Sequence, residues 1–172
     1  MDDLPINLAP LLEAGPAVQI HALSAIGAVV VGAVVFGRRK GTKMHRLLGR
    51  IWVVLMLVTA LSSFLISEFP MFLGFGPIHI LSVVTLAGLY RAIKAARAGH
   101  IEAHNRGMVM LYFQALFLAG AFTFLPGRRM HAMFLAELSP FGMVVAGLCA
   151  VTLISGLAWL LIANYPRGKR AS

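Results

Sequence analysis

Long apolar runs, separated by short polar segments, dominate the chain. They cover approximately 17–36, 47–67, 77–98, 107–125 and 141–164. A helix that crosses a bilayer needs about 20 mostly apolar residues, which is close to the length of each run. The runs are continuous, without the alternation of a membrane β-barrel strand. The pattern predicts an all-α integral membrane protein with five transmembrane helices in one bundle, and the whole chain, 1–172, forms a single domain.

Composition supports this assignment. Of the 172 residues, 59% are hydrophobic and 12% charged, and the mean hydropathy is +0.85. Soluble domains are about 45–50% apolar and about 25% charged, so the apolar excess has no place in a soluble core of this size. The same figures exclude a disordered chain, and the single cysteine excludes a disulfide scaffold.

The charged residues divide unevenly between the two sides that alternating spans would create. Thirteen of the fifteen basic residues fall on one side, together with a single acid, Glu102. The other side has Arg128 and Arg129 and the other five acids. Lysine and arginine accumulate in cytoplasmic loops. We therefore expect a multi-pass protein of a bacterial inner membrane, with its N-terminus outside and its C-terminus cytoplasmic. This distribution accounts for the net charge of +9, so membrane lipids, and not nucleic acid, are the expected partners.

Two features predict how the helices pack. Ser24, Ala28 and Gly32 recur every four residues in the first run, a spacing of small residues that lets membrane helices approach closely. Trp52 falls near the expected inner boundary of the second run, where tryptophan rings gather at the lipid headgroups.

The histidines are placed near both ends of the predicted helices. His21 and His79 fall near the outer ends of the first and third runs, and His45 and His104 fall just before the second and fourth, on the inner side. Ionisable groups in membrane helices are candidates for function, and two imidazoles from separate helices are the axial ligands of haem b. The haem propionates would meet basic side chains, for which the candidates are Arg46, Arg50 and Arg128.

Three functions therefore remain open. The first is an electron carrier with haem b bound by His21/His79 and His45/His104, exchanging electrons with quinone. The second is a zinc- or copper-binding protein that uses His21, His79 and His131, because imidazole suits both metals. The third is an accessory subunit of a larger membrane complex that binds no cofactor. No nucleophile–base arrangement and no phosphate-binding glycine loop stands out, so no catalysed reaction is assigned.

Several short motifs resemble a known family. They are His21 at the start of the first run, H-R-x-x-G-R at 45–50, the stretch 97–108 with His104 and Met108, and the segments 76–82 and 122–128. Together they resemble the small bacterial membrane proteins grouped as domain of unknown function 2306. Asn105 departs from the pattern, which has an arginine there. The resemblance implies a polytopic inner-membrane protein and draws attention to His21, His45 and His104, but it implies no activity.

Overall fold

The computed structural model describes residues 8–66, 77–113 and 120, and it shows helices and turns but no strand in that part of the chain. The elements are α1 (Ala9–Leu12), α2 (Pro16–Gly37), α3 (Lys43–Ser63), α4 (Pro77–Arg97) and α5 (Ile101–Met110). The predicted helices at 17–36 and 77–98 correspond closely to α2 and α4. The predicted run 141–164 lies outside the described residues.

Two of the described helices, α2 and α3, are long and apolar enough to cross a membrane. They contain 22 and 21 residues. At about 1.5 Å per residue each reaches roughly 30 Å, the thickness of a bilayer's hydrocarbon core. Large apolar side chains lie exposed along both helices, including Leu23 (65%), Val30 (58%), Val54 (57%) and Leu61 (57%). A lipid environment removes the cost of exposing such side chains to water.

Helix α3 begins at Lys43, four residues before the predicted boundary, and ends at Ser63. Thr42 makes the early start possible, because its hydroxyl accepts a hydrogen bond from the backbone N–H of His45 at 3.1 Å. This N-cap satisfies a donor that the helix itself cannot pair. Lys43, Arg46 and Arg50 therefore lie in the first two turns of α3, and all three are exposed.

A tight turn joins α4 to α5. Gly99 adopts a left-handed conformation with φ +77, and the N–H groups of Gly99 and His100 bond to the carbonyls of Ala96 and Ala95. This is the Schellman arrangement, which satisfies carbonyls at a helix end and favours glycine at the left-handed position. Helix α5 then starts at Ile101, earlier than the predicted run at 107–125. Residues 111–113 continue it with π-type hydrogen bonding.

The four long elements pack in a ring. The main contacts are α2 with α3, α3 with α4, and α4 with α5. The ring closes where the Tyr112 hydroxyl, just after α5, donates to the carbonyl of Val29 on α2 at 3.0 Å. In this order α2 and α4 flank α3, and α3 and α5 flank α4.

The centre of this ring is an apolar cluster that includes Trp52, which is only 4% exposed. Its indole N–H donates to the carbonyl of Ala28 at 2.9 Å. The expectation that Trp52 lies at the lipid headgroups is therefore wrong: the rotation of α3 against α2 turns the ring into the bundle. The small-residue spacing on α2 is confirmed, since Ser24, Ala28 and Gly32 are among its buried residues.

Candidate cofactor site

One end of the ring contains His21 and a group of hydroxyl side chains. The Nδ1 atom of His21 on α2 lies 2.9 Å from the backbone carbonyl oxygen of Thr59 on α3 and 3.3 Å from Ser62 Oγ. The Thr59 hydroxyl donates to Ser24 Oγ at 2.9 Å, and Ser24 Oγ donates to the carbonyl of His21 at 3.0 Å. The hydrogen bonds between α2 and α3 hold the His21 ring in a defined position on the inner surface of the pair.

His79 occupies the same end on the other side of α3. It is 5% exposed, and its ring centroid is 5.6 Å from that of Phe64, just after α3. One turn along α4, Ser82 Oγ lies 2.6 Å from Ser63 Oγ of α3. We call this end, with the hydroxyls of Ser24, Thr59, Ser62, Ser63 and Ser82, the hydroxyl end.

The opposite end, which contains segments 38–43 and 98–100, is the basic end. There the Nδ1 atom of His104 on α5 lies 3.0 Å from the carbonyl oxygen of Ala92 on α4. His45 on α3 lies near His104, Lys40 and Arg46. The Nδ1 atom of His45 is buried and makes no hydrogen bond within the described residues.

The hydrogen bonds of His21 and His104 determine which ring nitrogen each keeps available. A backbone carbonyl can only accept, so Nδ1 must carry the proton in both residues. A neutral imidazole with its proton on Nδ1 has its lone pair on Nε2, which is the atom that ligates a metal. A hydrogen bond from the other ring nitrogen to a carbonyl is the usual support of a metal-binding histidine. Both rings therefore have the protonation pattern of a ligand.

Comparison with known proteins identifies the family. A family model described as "predicted membrane protein (DUF2306)" matches residues 18–162. The chain belongs to this family. No curated protein and no solved structure matches the chain. The match to the family model confirms the predicted family. It also confirms the coarser prediction, that of a helical membrane protein.

Membership in the DUF2306 family carries no activity, so the site depends on geometry. Of the predicted ligand pairs, His21 and His79 lie on α2 and α4, which flank α3, and His45 and His104 lie on α3 and α5, which flank α4. The two pairs are at opposite ends of the ring. That each pair binds one group stays a prediction.

The structure describes two of the three arginines predicted to bind the haem propionates. Arg46 and Arg50 lie one helical turn apart at the basic end, and both are exposed. Arg46 donates to the carbonyl of Gly41 at 2.8 Å, which holds its guanidinium beside the loop. Arg128 lies outside the described residues.

The structure describes two of the three predicted zinc or copper ligands, His21 and His79. Within 8–66 and 77–113, no three histidine, cysteine, aspartate or glutamate side chains come together. His131, the third predicted ligand, lies outside those ranges, so the set of His21, His79 and His131 stays a prediction.

Sequence reasoning missed the hydroxyl residues of α3 and α4. Ser63 and Ser82 are 0% and 6% exposed, respectively, and they join two helices. Their position in the sequence was the available signal. Thr59, Ser62 and Ser63 form a polar group near the end of the second apolar run. In an antiparallel pair of helices, this end lies beside the start of the first run, which contains His21. Serine and threonine in membrane helices commonly hydrogen-bond across to a neighbour.

Proposed function

We propose that the protein is a membrane electron carrier that binds haem b at both ends of the helical ring and exchanges electrons with quinone in a bacterial inner membrane. The observation that carries this proposal is the matching hydrogen bonds of His21 and His104. Each imidazole comes from one helix, donates Nδ1–H to a carbonyl of the adjacent helix, and keeps Nε2 for a ligand. One such histidine stands at each end of the ring.

The remaining ligands come from α4 and α3. His79 on α4 is the partner of His21 at the hydroxyl end, and His45 on α3 is the partner of His104 at the basic end. The buried Nδ1 atom of His45 has no hydrogen bond within the described residues, which leaves this ring free to turn toward an added group. A buried polar atom without a partner is rare and costly, and a bound cofactor that reorients the ring would relieve it.

The surroundings of the basic-end pair fit a haem. Gly49 lies one helical turn from His45 and is half-buried, yet no described residue comes within 4 Å of a Cβ atom placed there. The described residues thus leave space beside the ligand. Arg46 and Arg50 lie at the same end and are suited to pair with propionates, because guanidinium groups bind carboxylates in a two-pronged geometry. Bound haem b would supply one-electron redox chemistry.

The chain's own residues would bind, orient and insulate the group. The carbonyls of Thr59 and Ala92 hold the rings of His21 and His104, and such hydrogen bonds increase the basicity of an imidazole ligand. The apolar cluster around Trp52, Met56 and Leu89 separates the two ends and excludes water between them. In the proposed arrangement, one site lies near each face of the membrane.

The test is the visible absorption spectrum of the full chain purified from haem-replete cells, before and after reduction with dithionite. We expect a Soret band, sharp bands in the reduced form, and two haems per chain by chemical extraction. His21→Ala and His104→Ala should each remove about half of the haem, because each removes one of two bis-histidine sites. His100→Ala is the matched control, since His100 is exposed in the α4–α5 turn.

A flat visible spectrum would overturn the proposal, as would full haem content in both alanine variants. A colourless protein with stoichiometric zinc or copper, lost in the same variants, would indicate the metal-binding function. A chain with neither group that is extracted by mild detergent together with a fixed protein partner would indicate the accessory subunit.

A further inference from the structure

The basic end also carries a depression that the haem proposal does not use. It lies between the end of α2 and the start of α3, has a volume of about 520 Å³, and is lined by Gly37, Arg38, Arg39, Thr42, Lys43 and Met44. Gly41 turns the chain here with φ +80, a left-handed conformation that favours glycine. This turn brings the basic residues on both sides of it to one opening.

The charges that line the depression are not neutralised by the described residues. Arg38, Arg39 and Lys43 are all exposed, and the one ion pair in the described part of the chain joins Arg106 to Glu102 elsewhere. The first backbone N–H groups of α3 lie at the same place and add partial positive charge. Three like charges around one depression repel each other, so an anion bound among them is stabilised.

An apolar stripe leads away from the depression along α3. Its side chains follow a spacing of three and four residues and are all exposed, at 36–57%: Met44, Leu47, Ile51, Val54, Val58 and Leu61. This spacing places them on one face of the helix. Met44 belongs both to the stripe and to the wall of the depression, so the two surfaces are continuous.

We propose that the depression binds the phosphate headgroup of an anionic phospholipid, with an acyl chain lying along the stripe of α3. The continuity of a basic depression with an exposed apolar stripe favours a lipid over a soluble phosphate, because a phospholipid carries an anionic headgroup and an acyl chain side by side, as the two surfaces lie at Met44. The site shares no residue with the proposed haem ligands, so each proposal can fail without the other.

The experiment measures lipid binding to the purified, delipidated full chain in a non-ionic detergent. Phosphatidylglycerol is titrated in mixed micelles, and bound lipid is counted by native mass spectrometry. The test variant is Arg38→Gln/Arg39→Gln/Lys43→Gln. The matched control is Arg91→Gln/Lys94→Gln/Arg97→Gln, which removes the same charge from exposed positions at the end of α4.

We expect one tightly bound phosphatidylglycerol on the unmodified chain and on the control. A basic residue near an anionic lipid contributes about fivefold to binding, so the test variant should bind about a hundredfold more weakly. Arg38→Gln and Lys43→Gln alone should each weaken binding about fivefold, which keeps the test usable if the triple variant is poorly produced.

Three results would overturn the proposal. Equal losses in the test and control variants would show that only the overall charge matters. Equal binding of phosphatidylcholine would show that the depression does not select an anionic headgroup. Displacement of the lipid by glycerol 3-phosphate, as effectively as by added phosphatidylglycerol, would identify a soluble phosphate as the ligand and leave the stripe without a role.

Discussion

Substitution of Gly32 tests the packing of the ring at its tightest point. A Cβ atom at this position would overlap the ring of Tyr112 and lie 2.7 Å from Nε1 of Trp52. Gly32→Ala therefore forces both rings to move. The movement of Trp52 breaks its hydrogen bond to the carbonyl of Ala28, which is the carbonyl one turn before Gly32 on the same helix.

The expected cost can be worked from these contacts. Overpacking a buried site costs about 1–3 kcal/mol, and a lost hydrogen bond adds about 1 kcal/mol. The better helix propensity of alanine offsets about 1 kcal/mol. We expect a net loss of about 2 kcal/mol in the free energy of unfolding, which corresponds to a melting temperature about 4–8 °C lower for a chain of this size.

The assay is thermal unfolding of the purified chain in detergent, followed by circular dichroism. Gly27→Ala is the matched control, because Gly27 lies on the same helix and, among the described residues, an added Cβ would meet only the side chain of Leu55 at 3.4 Å, an ordinary van der Waals distance. Its melting temperature should stay within about 2 °C of the unmodified chain or rise. A Gly32→Ala variant as stable as that control would refute the reasoning. If the collision is with Trp52, Gly32→Ala should cost less in a Trp52→Phe background, since contacting sites are not additive.

Two further predictions concern the ends of α3. Removal of the Ser63–Ser82 hydrogen bond by Ser63→Ala, Ser82→Ala and the double variant should give a coupling energy of about 0.6 kcal/mol in thermal or denaturant unfolding; a coupling of zero would show that the 2.6 Å contact contributes nothing. Thr42→Ala should lower stability by about 1 kcal/mol through loss of the N-cap of α3, whereas Thr42→Ser, which keeps the hydroxyl, should remain close to the unmodified chain. Equal melting temperatures for the two Thr42 variants would contradict the assignment of the cap.

Much of the helical fold was predictable because its signals are local. The bounds of α2 and α4 follow from the length of their apolar runs, and the end of α4 follows from Gly99. The start of α3 was less predictable. The sequence predicts a helix from about 47, with Lys43 and Arg46 in the loop before it. Long lysine and arginine side chains, however, can extend from the first turns of a helix to solvent while the backbone stays helical.

The candidate site was partly predictable for the same reason. Histidines stand out in apolar runs, and their place near one end or the other of a helix can be counted along the sequence. The hydrogen bonds to the carbonyls of Thr59 and Ala92 were not predictable, because every residue has a carbonyl and none is marked in the sequence. The same limit applied to Trp52, whose burial depends on the rotation of α3 against α2.

The sequence alone determined that the chain is helical, that its spans suit a membrane, and where histidines and basic residues fall along each helix, since length, hydropathy and charge are properties of the residues themselves. Only the tertiary structure decided which helices are neighbours, which ring nitrogen of His21 and His104 remains available, and that Arg38, Arg39 and Lys43 surround one depression. Those properties depend on helix rotation and packing, which arise from the shapes of many side chains together and from no single segment of the chain.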